Sequence, residues 1–312
     1  MREALHIRHH PKLAIISAVF TPWDHARRRE NYRIFRSQFN NNYFATEVSF
    51  EGIAATTEGD SVVRRLRGQE RHIMWQKERI LNDIVSKLPE AIEFVAWVDA
   101  DVLFMDRDWA GSAVEHLQEH PVLQLFEQVI HLGPDQRPLS FQSGLVASAM
   151  RLGESAFAQY AGTPGFAWAA RRNLLENVRL LDVLILGGAD ACMASGFAGI
   201  LRTANMDLFT DTLQRSSREW AARVMKETRG DVGFLPNRIS HLFHGFPNTR
   251  NYIGRYHILR EASFNPDQDI RMDCNGLCLS PSTLIGLRRP STGPGSMSLF
   301  GTRPLASNRA RA

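Results

Sequence analysis

Hydrophobic and polar positions alternate along this chain between two regimes, and their order predicts strands interleaved with helices. Leu13–Phe20 is a continuous apolar run closed by Thr21 and Pro22. A short run of that kind suits a strand buried on both faces, as in a parallel sheet. A helix is predicted over residues 30–39 and a weaker strand over 45–51. Across residues 69–88, Ile73, Ile80, Leu81, Ile84, Val85 and Leu88 recur at helical spacing until Pro89 stops the pattern. The sharpest strand covers residues 93–99, Glu-Phe-Val-Ala-Trp-Val-Asp, and Ala100-Asp101 follows at once. This order predicts an α/β protein with a largely parallel central sheet flanked by helices. Such sheets bind ligands at the carboxyl ends of their strands, where Asp99 and Asp101 fall.

The second half is less regular. Residues 122–126 and 141–149 read as strands, with Gly133, Pro134 and Pro138 between them. Residues 165–178 read as a loop running into a helix. Residues 181–186 form an apolar run, taken as a strand end before Gly187-Gly188-Ala189-Asp190. Helices are expected over 191–200, 206–228 and 251–262, and an extended segment over 234–244. No internal repeat and no linker divides the body, so one domain is expected over residues 1–285.

Composition narrows the picture. The 312 residues are 44% hydrophobic and 22% charged, enough apolar material for a sizeable core and too much for a disordered chain. No run of 18 apolar residues is present, and residues 1–12 lack the apolar stretch of a secretory signal. A cytoplasmic location is the expectation. The net charge of +4 includes Arg288, Arg289, Arg303, Arg309 and Arg311, with no acid beyond Gly286. Removing those five leaves about −1 for residues 1–285, so bulk charge does not make the body a nucleic-acid binder. Residues 286–312, rich in Ser, Pro, Gly and Arg, read as a disordered basic tail able to touch an anionic partner. Cys192, Cys274 and Cys278 are expected to be reduced thiols, since their spacing fits no zinc motif.

Four groups of residues can carry chemistry. Asp99 and Asp101 at a strand end repel unless a divalent cation joins them, and hard carboxylate oxygens suit magnesium or manganese. The alternative is a loop in which Asp99 caps backbone amides and Asp101 is solvated. His241 and His244 stand three apart at the end of an extended segment. They can share one ion only if the strand bends, which Gly245 and Pro247 permit. Asp190, after two glycines that allow close backbone approach, is either a general base or the N-cap of the next helix. Trp75, Lys77 and Arg79 open a helix and either hold a base and a diphosphate or form a solvated face; Arg27, Arg28 and Arg29 share that ambiguity. Glycine-rich phosphate loops, Gly-x-Ser-x-Gly and Cys-x-x-Cys are absent from the sequence.

In chain order these segments resemble metal-dependent glycosyltransferases of the GT-A fold, most closely the β-1,4-galactosyltransferase type, and also bacterial and phage glycosyltransferase-like proteins. The family's aromatic-Asn-Arg-x-Lys-Leu-Leu-Asn helix start is similar to Trp75-Gln-Lys77-Glu-Arg79-Ile-Leu-Asn82. Its Val-Asp-Val-Asp is similar to Val98-Asp99-Ala100-Asp101. Its Phe-Gly-Gly-Val resembles Phe141-Gln-Ser143-Gly144-Leu145, and its Gly-Gly-Glu-Asp resembles Gly187-Gly188-Ala189-Asp190, downstream of an aromatic loop around Trp168. Its Met-x-x-His metal pair matches His241-x-x-His244.

The resemblance implies a Rossmann-like nucleotide-diphospho-sugar transferase fold and a manganese (or magnesium) ion on Asp101, His244 and, in the position of the Met ligand, His241. It implies Asp190 as general base of an inverting transfer. Phe20, Thr21, Arg28, Trp75, Lys77, Arg79, Asp99, Ser143, Gly144, Trp168, Gly187 and Gly188 would contact a nucleotide-sugar donor, a UDP-sugar first among them. Ala189 departs from the family's Glu, which leaves the donor sugar open, and the acceptor is unread. A retaining transferase of the same fold and a noncatalytic nucleotide-sugar-binding protein are the alternatives.

Overall fold

The computed structural model describes residues 5–200, 205–245 and 254–279. The tail from residue 286 and the proposed boundary at 285 lie outside the described residues. The first half runs β1 (Leu13–Phe20), α1 (Ala26–Arg36), β2 (Tyr43–Phe50), β3 (Val63–Gly68), α2 (Lys77–Val85), β4 (Phe94–Val98), β5 (Val102–Phe104), α3 (Trp109–Glu119) and β6 (Val122–Gln124). There follow β7 (Gln128–Leu132), β8 (Pro138–Ser143), α4 (Leu145–Leu152), α5 (Ser155–Gln159), β9 (Ala167–Arg171), α6 (Arg172–Val178) and α7 (Ala189–Phe197). The last elements are α8 (Asp211–Thr228), β10 (Gly233–Phe234), β11 (Arg238–His241), α9 (Gly254–Glu261), α10 (Pro266–Asp269), β12 (Arg271–Met272) and β13 (Cys278–Leu279).

Seven strands make the main sheet in the order β10-β6-β9-β4-β1-β2-β3. All neighbours pair parallel except at β9, which is antiparallel to both β4 and β6. The expected mostly parallel sheet flanked by helices is therefore present. Alternation along β1 divides the core between its two faces. Ala14 and Ile16 join Ile80, Leu81 and Ile84 of α2, Leu174 of α6 and Trp220 of α8 on one face. Leu13 and Ile15 join Phe35 of α1, Trp109 of α3 and Val129 of β7 on the other. A second sheet, β5-β11-β7-β8, closes that side. No helix among the described residues is long and apolar enough to cross a membrane.

Five expectations need correction. The helix expected over 206–228 is a 3-10 turn (Met206–Leu208) and then α8 from Asp211. The helix expected over 69–88 is a single 3-10 turn (Glu70–His72), an irregular link and then α2, because tertiary contacts claim the intervening groups. The Trp75 N–H donates to the Ile185 carbonyl at 2.8 Å, and the Gln76 amide donates to the Cys278 carbonyl and accepts from the Cys278 N–H. The strand expected over 141–149 ends at Ser143 and turns into α4 at Gly144, where a Cβ would come within 2.7 Å of the Phe126 carbonyl oxygen. The loop expected at the start of 165–178 contains β9, a central strand of the main sheet. The apolar run 181–186 is buried irregular chain rather than a strand end. Cys192, Cys274 and Cys278 are free thiols, as expected.

Candidate functional site

β4 delivers Asp99 to the carboxyl edge of the main sheet, and the chain turns there into β5. The Asp99 carbonyl accepts from the Val102 N–H at 3.1 Å, which closes the turn and leaves Asp101 at its tip. β5 pairs antiparallel with β11 in a register that sets Val102 opposite His241, and the Asp101 carbonyl accepts from the Leu242 N–H. That pairing carries His241 and His244 to Asp101. Their Nε2 atoms lie 3.6 and 3.1 Å from the same Asp101 Oδ2. The three candidate ligand atoms fall within 4.8 Å of one another. The bend that the spacing required is present, and helix α1 holds it from behind. Asn31 donates to the Phe243 carbonyl at 3.1 Å, and the His25 ring bonds the backbone of His244. Burial pushes the Asp101 carboxyl up, but the two imidazoles outweigh it and hold the group well below the usual carboxylate range.

A second cluster joins this one through Lys77, the first residue of α2. Its Nζ lies 2.8 Å from Asp99 Oδ1 and 3.1 Å from Asp190 Oδ1, and its side chain is only 12% exposed. Burial disfavours the ammonium, yet Asp190 and Asp99 outweigh that and raise its pKa. Asp99 is raised by burial and by the neighbouring Asp190 and Asp101 against the pull of Lys77. Asp190 sits in the first turn of α7, whose N-cap is Gly188. Its carboxylate therefore does not cap the helix but crosses to Lys77. The buried neighbour Glu78 has one oxygen without a hydrogen-bond partner, and burial pushes its carboxyl up to about 8.

The two glycines shape the wall beside Asp190. Both adopt positive φ, +88° at Gly187 and +101° at Gly188. A Cβ on Gly188 would stand 2.2 Å from the Tyr256 hydroxyl, and one on Gly187 would stand 2.9 Å from an Arg255 nitrogen. Half-exposed Trp75 packs beside Gly187.

The other sequence candidates have the following surroundings. Arg79 pairs with Asp182 at 3.0 Å. Ser143 accepts from Arg151 at 2.9 Å, and Gly144 is packed between Phe126 and Gln124. Trp168 is not open to a sugar ring: it is 2% exposed, stacked on Trp97 across the β4–β9 pair, with its indole N–H on the Pro164 carbonyl. Phe20, at the end of β1, meets Phe50 edge-on, Thr21 is buried beside it, and the Arg28 N–H is capped by His25 Nδ1.

Sequence reasoning missed two aromatic neighbours of the triad. His131 on β7 stands 5.5 Å from the His241 ring, and Phe166 stands 4.8 Å from it. The bulky Phe166 has φ +77°, and the Ala167 N–H bonds the Gly165 carbonyl across it at 3.2 Å. Glu78 was the third omission; an acid at the second position of an amphipathic helix looks like ordinary N-terminal charge.

No protein-family model matches the chain, and no curated protein matches it. Among solved structures, it is similar to a mannosyltransferase from Pyrobaculum calidifontis in complex with GDP-Man and Mn2+, at 16% identity and TM-score 0.41, covering 84% of this chain. It spans 64% of that protein's length. It is also similar to glucosyl-3-phosphoglycerate synthase from Mycobacterium tuberculosis in complex with phosphoglyceric acid, at 9% identity and TM-score 0.40, covering 86% of this chain and 90% of that one.

Proposed function

We propose that this chain is a metal-dependent glycosyltransferase of the GT-A class, nearest in its motifs to the β-1,4-galactosyltransferase type. It moves a sugar from a nucleoside diphosphate donor, a UDP-sugar first among them, to an acceptor hydroxyl with inversion at the anomeric carbon. The observation that carries this reading is the convergence of Asp101, His241 and His244 on one point, joined through Asp99 and Lys77 to Asp190. One carboxylate with two imidazoles is a donor set that suits Mn2+, with Mg2+ as the alternative. Asp101, His241 and His244 would hold the ion. Bound there, a divalent cation supplies charge neutralisation for the departing diphosphate.

The chain's own residues supply the rest. Lys77 adds positive charge at the same edge and fixes the spacing between Asp99 and Asp190. Asp190 Oδ1 faces Lys77, while Oδ2 lies toward Gly165. In this reading Oδ2 takes the acceptor proton as the new glycosidic bond forms. Gly187 and Gly188 leave room on that side for the side chains of Arg255 and Tyr256.

A panel of UDP-, GDP-, dTDP- and CDP-sugars tests the reading by Mn2+-dependent thermal shift. The expected result is a metal-dependent shift with one donor, lost in Asp101→Ala and His244→Ala. Asp190→Asn is expected to bind donor but not transfer, and proton coupling at the anomeric centre of the product should report inversion. Full metal-dependent binding in both ligand variants refutes the metal assignment. Nucleotide-sugar binding without nucleoside diphosphate release at any acceptor leaves a binding protein instead.

A further inference from the structure

The link between the two halves of the site is a strained peptide. Gly165 carbonyl and Ala167 N–H close a three-residue ring around Phe166 at φ +77°. That is the positive-φ form of the γ-turn, rare and costly for a residue with a large side chain. Glycine would adopt it freely, and glycine stands one position earlier. Backbone strain of this kind persists only where the surroundings over-determine it.

The surroundings of Phe166 do so from two sides. Its carbonyl accepts from the Asp99 N–H at 2.8 Å, one step beyond the Val98–Ala167 pair of the β4–β9 ladder, and so ties the γ-turn to the strand end that leads into Asp101. Its ring lies 4.8 Å from His241, 5.7 Å from His131 and 6.2 Å from Phe126. One residue therefore touches the backbone of the acidic turn and the imidazole of a histidine from another strand.

We infer that Phe166 is a positioning residue for the metal site: its strained turn sets the distance and angle between the Asp99–Asp101 turn and His241. The inference rests on the metal reading above. A site held in register by neighbouring contacts binds its ion more tightly than one left to find its geometry, since partners of first ligands commonly carry tenfold or more in affinity.

The test measures Mn2+ affinity of the full chain by electron paramagnetic resonance, alongside the unfolding temperature of the metal-free protein. Phe166→Gly relieves the strain and removes the ring; Phe166→Leu keeps most of the volume without the planar face and reports even should the glycine variant fail to fold. Phe166→Tyr is the conservative control. Affinity is expected to fall about tenfold or more in Phe166→Gly and about fivefold in Phe166→Leu, and to remain within twofold in Phe166→Tyr. The unfolding temperature of metal-free Phe166→Leu should stay within a few degrees of the parent. Parent-like affinity in both the glycine and leucine variants, in a protein whose Asp101→Ala variant has lost Mn2+, overturns the role of Phe166 while the metal reading stands. A parent chain that binds no Mn2+ overturns both.

Discussion

Glu78 offers a measurement whose outcome follows from its surroundings. The side chain is 3% exposed, and one carboxyl oxygen has no hydrogen-bond partner among the described residues; the Lys77 cation favours its ionisation, but burial, with Asp190 and Asp99, outweighs it. Burial, the largest cause, keeps the folded-state carboxyl protonated up to about 8, against an ordinary value of 4.5. The folded protein thus holds a proton that the unfolded chain releases. Stability contributed in this way is complete below the unfolded value and is lost as pH rises through the folded one. Each pH unit in that window costs about 1.4 kcal/mol, giving a deficit of about 1 kcal/mol at pH 5, about 3 at pH 7 and about 4 at pH 8. Glu78→Gln keeps the shape and never ionises. Urea unfolding followed by tryptophan fluorescence should therefore show the variant overtaking the parent as pH rises, with a relative gain of about 3 kcal/mol between pH 5 and pH 8. A stability difference independent of pH across that range would refute the assignment of a buried, proton-holding carboxyl.

Three further substitutions follow from the same geometry. Lys77→Met leaves Asp99 and Asp190 facing each other with no cation between them, which should cost about 3–5 kcal/mol in urea unfolding at neutral pH; a loss under about 1 kcal/mol contradicts the clamp. Gly188→Ala places a methyl 2.2 Å from the Tyr256 hydroxyl on a backbone at φ +101°, so a loss of about 2 kcal/mol or more in thermal unfolding is expected, and parent-like stability would show that α9 yields easily. Gln76→Ala strips both hydrogen bonds from the Cys278 peptide, with an expected cost of about 2 kcal/mol and faster hydrogen exchange across β12 and β13. Unchanged exchange there would mean that the hairpin is held by other contacts.

The strands with strong side chains were readable from the sequence, and the weak ones were not. β1 and β4 announce themselves because both faces are buried, so their positions are apolar apart from Ser17, whose hydroxyl donates to the Val98 carbonyl. β9 reads Ala-Trp-Ala-Ala-Arg, a composition with little strand preference, and its place between β4 and β6 is decided by tertiary pairing. The overlong helix before α2 failed for a related reason. Helical spacing continues through Ile73, but Gln76 bonds the backbone of Cys278 two hundred residues away, which no local pattern encodes.

At the site, the residue types of Asp101, His241 and His244 could be singled out from spacing, whereas their meeting depends on β5, a strand of three residues invisible to periodicity. From the residues alone Asp190 read first as a cap and second as a base, and only the position of Lys77 shows where its carboxylate turns. Phe166 belongs to the aromatic loop around Trp168 that the sequence pointed to, but its positive φ is not written in composition.

The reversed direction of β9 also bears on biosynthesis. A ribosome delivers β4 and β6 well before residues 167–171, and until those emerge the edges that β9 will fill carry unpaired backbone N–H and C=O groups. A growing chain halted at that stage would be prone to join edges with its neighbours. Five residues dominated by alanine act as the keystone that joins the amino-terminal half of the sheet to the rest, so productive folding of the whole β-layer must await their arrival.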